Sequence, residues 1–178
     1  RMTRETALHA GHERLGVSFT HFGGYQKPGR YSSDLAEHHA VRQGAGLFDL
    51  SHMAEIECEG SQVEQFLDYA LSNTLSALVE GQAKYSLLLA EDGGVIDDLI
   101  VYRLGEQTYL IVANAANRDA AVEAMQARSA GFDVRVSDTS DDWALIALQG
   151  PLAAGILESA PITLETPLSE LRYYRIMG

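Results

Sequence analysis

The chain has 178 residues, enough for one ordinary domain or two small ones, with 46% hydrophobic and 21% charged residues. This composition allows a substantial core and excludes wholesale disorder. The 25 acidic residues outnumber the 13 Lys and Arg residues, and the resulting net charge of -12 repels phosphate backbones and anionic lipids. We therefore expect neither nucleic acid nor a membrane surface as a partner.

The sequence also predicts where the protein resides. No apolar run approaches the roughly 20 residues that a bilayer-spanning helix needs. Residues 1–16 lack the apolar stretch of a signal peptide. The single cysteine, Cys58, cannot form an internal disulfide and suits a reducing compartment. We expect a soluble protein with a cytoplasmic location.

The N-terminal part of the chain predicts a loop followed by a helix. Three glycines and a proline interrupt residues 23–31, which indicates a loop. Asp34 is a candidate helix cap, because Glu37 follows three residues later. The predicted helix ends near Gly44 and Gly46.

After the predicted helix, the spacing of apolar residues changes from a helical period to a period of two. Residues 54–59 alternate apolar side chains with glutamates, which is typical of a strand with one solvated face, and Cys58 then belongs to the core face. Gly60 turns the chain. Residues 61–64 have the S-x-x-E pattern of a capping box, and the apolar spacing that follows predicts a helix over 62–71.

Three apolar runs then follow one another, separated by short turns that contain glycine. The runs cover residues 83–90, 95–103 and 108–114. They favour an antiparallel meander over a parallel sheet, because no helix separates them. A helix beginning at Asn117, two more strands and a helix at Pro151 complete the prediction. The class is α+β, with antiparallel meander or Greek-key sheets and flanking helices.

The adjacent carboxylates Asp97 and Asp98 lie early in the second of these runs. Successive strand side chains point to opposite faces, so the two cannot form a paired acid and base. Both faces of this strand look apolar, so we expect it to be buried on both sides. A carboxylate there needs hydrogen-bond partners or takes up a proton. Two interpretations stay open: one functional aspartate, or two acids that end the preceding Gly-Gly turn.

The sequence gives less support to a metal site, a serine hydrolase site or an amide-based ligand site. His38 and His39 are adjacent on a helix and face different directions, and no H-x-x-x-H or C-x-x-C spacing occurs, so no metal site is expected. His52 follows a serine, but no G-x-S-x-G motif accompanies the pair. Asn114 and Asn117 suit either the amide edges of a flat heterocycle or turn and cap positions.

Four segments carry a family resemblance: HHAVRQGAGLFDLSHMAEI, AKYSLLLAEDGGVIDDLIVYRL, YLIVANAAN and ALIALQGP. In order and spacing, they resemble the N-terminal half of the glycine cleavage system T-protein, the aminomethyltransferase family. The resemblance runs from about Thr6 to Tyr174. The combination of GLFDLSHM and GGVIDDLIVY is specific, because sarcosine and dimethylglycine demethylating enzymes share only variants of each.

The resemblance implies a reaction. Proteins of this family take the aminomethyl group from the lipoyl arm of H-protein, release ammonia and deliver the one-carbon unit to tetrahydrofolate. The family's essential carboxylate is the second aspartate of I-D-D-L, which corresponds to Asp98. The resemblance also implies a folate pocket and no metal. The folate-binding residues would be Met53, Tyr85, Asp98, Ile100, Asn114 and Tyr174.

The resemblance further implies how the chain is organised. Residues 1–53 would begin the folate-binding region, residues 54–137 would form an α+β subdomain with the I-D-D-L strand, and residues 138–178 would return to the first region. The family's later motifs, T-G-Y-T-G-E and G-L-G-A-R-D, do not occur in this sequence. We therefore expect an N-terminal fragment that is inactive alone and binds tetrahydrofolate weakly.

Two departures and two alternatives accompany the resemblance. Tyr25 and Lys27 stand where the family usually has the Trp and Met of F-x-G-W-x-M-P. One alternative is a non-catalytic folate-binding paralogue involved in iron–sulfur protein maintenance. The other is the folate domain of a sarcosine or dimethylglycine demethylating enzyme.

Overall fold

The computed structural model describes residues 3–164 and 166–177. The strands are β1 (Arg4–Glu5), β2 (Ser18–Phe22), β3 (Tyr25–Arg30), β4 (Gly46–Asp49), β5 (Ala54–Glu59), β6 (Ala83–Leu89), β7 (Val95–Arg103), β8 (Thr108–Ala113), β9 (Arg135–Asp138) and β10 (Ile146–Gln149). The α-helices are α1 (His9–Arg14), α2 (Asp34–Gln43), α3 (Val63–Ala70), α4 (Arg118–Arg128) and α5 (Ala153–Ser159). This mixture of helices and mainly antiparallel strands confirms the predicted α+β class.

The chain forms two compact units, each built from two separate segments of sequence. Unit 1 contains residues 1–52 and 143–168, and unit 2 contains residues 53–142 and 169–178. The boundaries of these units differ from the division into residues 1–53, 54–137 and 138–178 that the resemblance implies, and that division stays a prediction.

Unit 2 contains a five-stranded sheet in the order β6-β7-β8-β5-β9, in which every pair is antiparallel. The β6–β7–β8 segment is the predicted meander. Strand β5 precedes these three in sequence but lies beyond β8 in space, which is a Greek-key order. Strand β5 is therefore an internal strand, with neighbours on both edges.

The core of unit 2 lies between this sheet and the helices α3 and α4. Phe66 and Leu67 of α3 and Met125 of α4 are fully buried in one cluster with strand residues such as Ile56 and Leu99. Burial of each such side chain contributes about 1.5–3 kcal/mol relative to exposure. Both helices pack on the same face of the sheet, so the β6–β8 strands keep a second face that these helices do not cover.

The predicted helix capping residues are partly wrong. The cap of α2 is Ser33, whose hydroxyl accepts a hydrogen bond from the Ala36 N–H at 3.2 Å, whereas Asp34 is already helical. Helix α3 has no side-chain cap bond, because the Ser61 hydroxyl donates to Asp133 instead. These differences leave the predicted helices in place and shift their ends by one residue.

Unit 1 contains two small sheets. Strands β1, β3 and β2 form the first, and β4 pairs with β10 in the second. The loop predicted over residues 23–31 is wrong, because Gly23 and Gly24 both have positive φ values, 57° and 84°, and form a two-residue hairpin turn between β2 and β3. The β4–β10 pair joins segments about one hundred residues apart in sequence, so local patterns predict β10 without its partner.

The solvated face predicted for β5 is wrong at one position. Glu55 is only 2% exposed, while Glu57 and Glu59 are partly exposed. Neither carboxylate oxygen of Glu55 has a hydrogen-bond partner among the described residues. Burial raises the pKa of Glu55 to about 7, and the positive charge of Arg118 opposes this shift.

This burial predicts a pH-dependent stability. Because the pKa of Glu55 in the folded chain exceeds the ordinary glutamate value of 4.5, the folded chain holds the Glu55 proton more tightly than the unfolded chain does, and stability falls as pH rises from about 4.5 to about 7. Glu55→Gln removes this titration. We expect wild type to lose on the order of 1–3 kcal/mol of unfolding free energy over that range relative to the variant. Urea titrations at a series of pH values measure the difference.

The control for this experiment is Glu106→Gln, which changes an exposed carboxylate in the turn between β7 and β8. Its stability should follow the wild-type pH dependence. Parallel curves for wild type and Glu55→Gln would contradict the assignment.

Candidate functional site

The uncovered face of the unit 2 sheet carries one row of predicted site residues. Ile100 on β7 pairs with Tyr85 on β6 and with Val112 on β8. Directly paired residues of antiparallel strands point to the same face, so these three side chains form a row across three strands. Leu99 and Val101 alternate with this row and are buried on the helical face.

A second row on this face contains the catalytic candidate. Asp98 lies two residues before Ile100 and therefore shares its face. Asn114 directly follows β8 and Met53 directly precedes β5, and the register of these strands places both at the same end of the sheet. Met53 and Ile100 are partly exposed. The structure thus brings five of the six predicted folate-binding residues onto one face.

Two hydrogen bonds fix the Asp98 carboxylate. The Tyr85 hydroxyl donates to Oδ2 at 2.9 Å, and the Asn114 side-chain amide donates to Oδ1 at 3.0 Å. The bond to Asp98 is the main cause that raises the pKa of Tyr85. Asp98 is exposed, so the expectation that β7 is buried on both faces is wrong. The physical reason is that the helices cover one face only.

Asp97 points to the opposite face and is 2% exposed. Its Oδ2 accepts the Asn114 backbone N–H at 2.9 Å. Its Oδ1 accepts the side-chain amides of Asn114, at 2.9 Å, and of Asn117, at 2.7 Å. Asp97 therefore joins β7 to the end of β8 and to the segment that leads into α4. The Asn117 side chain thus donates to Asp97 and makes no cap bond to α4.

The Gly-Gly turn does not depend on either aspartate. The Asp92 carboxylate accepts the Gly94 N–H at 2.9 Å, and the Ala90 N–H donates to the Gly94 carbonyl at 2.7 Å. The interpretation in which Asp97 and Asp98 only end this turn is therefore wrong. One of the pair is a buried structural residue and the other is exposed and available to a ligand.

Tyr174 lies beside the β6 edge of the sheet. Its carbonyl accepts the Ala83 N–H at 2.9 Å, and it is the one non-glycine residue with positive φ, 55°, in the described ranges. Burial is the main cause that raises the pKa of Tyr102, and the electrostatic interaction with Tyr174 is the second. An interaction with Tyr174 is also one of the smaller causes that raise the pKa of Tyr85. Tyr174 thus lies near the row that begins at Tyr85, in a backbone conformation that is uncommon for a bulky residue.

Sequence reasoning missed one residue of this face. Glu55 pairs with Val112 and therefore extends the row of Tyr85 and Ile100 onto β5. The alternating pattern of β5 predicted that Glu55 is solvated like the other glutamates of this strand. The same alternation places Glu55 on the same face as Met53, two residues earlier. The signal that could have identified it is the pairing of β5 with β8, which a single sequence does not display.

No group of three or more His, Cys, Asp or Glu side chains in residues 3–164 and 166–177 could hold a metal ion. In the same ranges, every helix is too short or too polar to cross a bilayer.

The arrangement suits recognition of a flat, partly apolar ligand. Met53 and Ile100 supply apolar surface, and the Asp98 carboxylate keeps acceptor sites beyond the two occupied by Tyr85 and Asn114. A carboxylate held in this way can accept a hydrogen bond, stabilise a positive charge or take up a proton.

The same substitution, aspartate to asparagine, should have a large effect on stability at Asp97 and a small one at Asp98. Asp97→Asn places an amide against donor groups in a buried site, so we expect a loss of about 2–3 kcal/mol of unfolding free energy. Asp98→Asn changes an exposed group, and we expect an effect within about 0.5 kcal/mol. Chemical denaturation of both variants measures the contrast. Equal losses would contradict the assignment of buried and exposed roles.

Comparison with known proteins supports the resemblance. The profile of the GCVT N-terminal domain family matches residues 8–177. The aminomethyltransferase of Cutibacterium acnes is 52% identical over 179 residues, covering 98% of this chain and 48% of the relative. That of Saccharopolyspora erythraea is 53% identical over 171 residues, covering 96% of this chain and 46% of the relative.

A solved structure agrees with this result. The glycine cleavage system aminomethyltransferase T from Bartonella henselae is 39% identical to this chain and superposes with a TM-score of 0.87. The match covers 97% of this chain and 46% of that one. The chain thus spans about half the length of the relatives that it matches. Motifs, fold and relatives agree, and the chain belongs to the GCVT N-terminal domain family.

Proposed function

We propose that the uncovered face of the unit 2 sheet binds tetrahydrofolate and that Asp98 is the catalytic carboxylate of an aminomethyltransferase. The observation that carries this proposal is the exposed Asp98 carboxylate, held between Tyr85 and Asn114. The names of the relatives support the reaction class, since they are called aminomethyltransferases. The same names favour this reaction over a non-catalytic paralogue or a demethylating enzyme.

The residues present fit a folate. Met53 and Ile100 are partly exposed, which suits contact with the faces of a flat ring. Tyr85 and Tyr174 are 45% and 38% exposed and offer aromatic surface beside them. When bound, tetrahydrofolate would supply a nitrogen that accepts the one-carbon unit.

Asp98 would act on the ligand directly. Its two hydrogen bonds fix the plane of the carboxylate, so its remaining acceptor sites point in set directions. It can orient a donor N–H of the ligand and stabilise positive charge that develops beside it. Tyr85 and Asn114 are then positioning residues as well as members of the pocket.

The wider reaction belongs to the same proposal. The donor would be an aminomethyl group on the lipoyl arm of an H-protein, and ammonia would be the second product. Since this chain spans about half the length of its relatives, the full-length protein is the appropriate material for assays.

The activity test replaces one carboxylate. In the full-length protein that carries this chain, Asp98→Asn should lower methylene transfer from loaded H-protein to tetrahydrofolate by at least about 100-fold, because positioned acid–base groups typically contribute that much. The assay follows formation of methylenetetrahydrofolate. Glu91→Gln, an exposed carboxylate in the hairpin before β7, is the matched control and should retain wild-type activity.

The outcomes separate binding from chemistry. Loss of transfer with retained folate binding supports a catalytic Asp98. Wild-type transfer by Asp98→Asn would contradict the proposed role.

A further inference from the structure

Unit 1 lacks the hydrophobic core that unit 2 has. In the described part of unit 1, Tyr25 is the one apolar side chain that is buried. All members of the main buried apolar cluster lie in unit 2. A folded unit normally buries one face of each helix and sheet around a common core, because this burial offsets the lost chain entropy. The described residues of unit 1 thus do not provide the apolar burial that a stable unit needs.

The β4–β10 sheet of unit 1 is incomplete in the same sense. A pair of strands alone is at best marginally stable in water. Leu47 on β4 is 70% exposed, and Ile146 on β10 is 48% exposed. Strand β4 pairs with β10 along one edge, and no strand in residues 3–164 and 166–177 pairs with its second edge. An uncovered strand edge of this kind is a template for a further strand.

The register shows which backbone groups of β4 point to the second edge. The Leu50 N–H donates to the Leu145 carbonyl at 2.8 Å, where the β4–β10 ladder continues beyond β4. Hydrogen-bonded and non-hydrogen-bonded pairs alternate in an antiparallel ladder, so Phe48 also bonds to β10. The N–H groups of Leu47 and Asp49 then point away from β10, toward the second edge.

A cavity of about 540 Å³ borders β4 on this side. Residues 46–50 line it along the whole strand, whereas β10 contributes no lining residue in the part of the chain that the structure describes. The other walls are helix α2, residues 27–29 and Tyr31. The cavity therefore follows the unpaired edge of β4.

Helix α2, which forms one of these walls, is also poorly packed. None of its ten residues is buried. Ala40 and Val41 of this helix line the cavity together with Phe48 of β4. Most of the stability of a short helix in a protein comes from tertiary packing of its apolar face. An apolar segment in the cavity would pack on α2 and on β4 at the same time.

Several polar groups of the cavity wall already have partners in unit 1. The Tyr31 hydroxyl bonds to Nδ1 of His12, and Nε2 of His12 lies 2.9 Å from Oδ2 of Asp49. The Glu37 carboxylate accepts the N–H groups of Tyr31 and Ser32, at 2.9 and 2.6 Å. A small-molecule site needs a few polar groups that converge on the ligand. These contacts instead favour a segment of protein chain that pairs with β4 through its backbone.

We propose that the part of the full-length protein outside this chain supplies an extended apolar segment, which fills the cavity and pairs with β4 as a third strand. The occupant is intramolecular, because the chain spans about half the length of the relatives that it matches. The segment bonds to the N–H groups of Leu47 and Asp49, as in strand addition to a sheet edge. Its side chains pack on Phe48 and on Val41 of α2. The proposal rests on membership of the family and not on the proposed folate site.

Hydrogen exchange with residue resolution tests the pairing. Amide exchange is measured in the full-length protein and in the chain alone by mass spectrometry with electron-transfer fragmentation. In the full-length protein, Leu47 and Asp49 should exchange at least about 100-fold more slowly than in the chain and as slowly as Phe48, because an amide in a sheet ladder exchanges only when the structure opens. Ile111, on the internal strand β8, should be slow in both proteins and is the reference.

Two results of this experiment would overturn the proposal. If Leu47 and Asp49 exchange more than about tenfold faster than Phe48 in the full-length protein, the second edge of β4 is unpaired there. If the protection of Leu47 and Asp49 grows with protein concentration, the edge belongs to a second copy of the protein and not to an intramolecular segment.

A proline substitution tests the same edge by thermal unfolding. Leu47→Pro removes the outward N–H, whereas the matched control Leu47→Ala keeps it and also shortens the side chain. In the chain alone, the two variants should have the same unfolding midpoint, because an unpaired edge tolerates proline. In the full-length protein, Leu47→Pro should unfold several degrees below Leu47→Ala. Equal midpoints in the full-length protein would overturn the added strand.

Discussion

The alternation of side chains along β7 is the constraint on which the candidate site depends. It sends two adjacent aspartates to opposite faces of one sheet. Asp97 is buried and holds Asn114 and Asn117 through three hydrogen bonds. Asp98 then receives the Asn114 amide on the uncovered face. The buried member of the pair therefore sets the position of a residue that orients the exposed member.

Much of unit 2 follows from local patterns. The meander of β6, β7 and β8 is predicted because each run is strongly apolar and each turn contains glycine. Helix α3 is predicted because Phe66 and its neighbours follow helical spacing. The position of Asp98 on one face also follows from the sequence, since it needs only period two.

The other features of the fold and of the candidate site depend on long-range contacts that a single sequence does not display. Glu55 is buried although it shares a face with the exposed Asp98, and the exposure of Asp98 depends on which face the helices cover. The cap of α2 is Ser33 because its hydroxyl, one residue before the predicted cap, reaches the Ala36 N–H. In unit 1, Lys27 and His52 are distant in sequence, and only the fold brings the amine to the imidazole.

If the uncovered face of the unit 2 sheet binds folate, as we propose, the methyl groups of two methionines should respond differently to the ligand. Met53 lies on that face, whereas Met125 is fully buried on the opposite one. The chain is labelled with ¹³C-methyl methionine and titrated with 5-formyltetrahydrofolate, a stable folate, while NMR spectra are recorded. We expect the Met53 resonance to shift progressively with ligand and the Met125 resonance to stay in place. A Met53 resonance that stays in place while the ligand binds would contradict it.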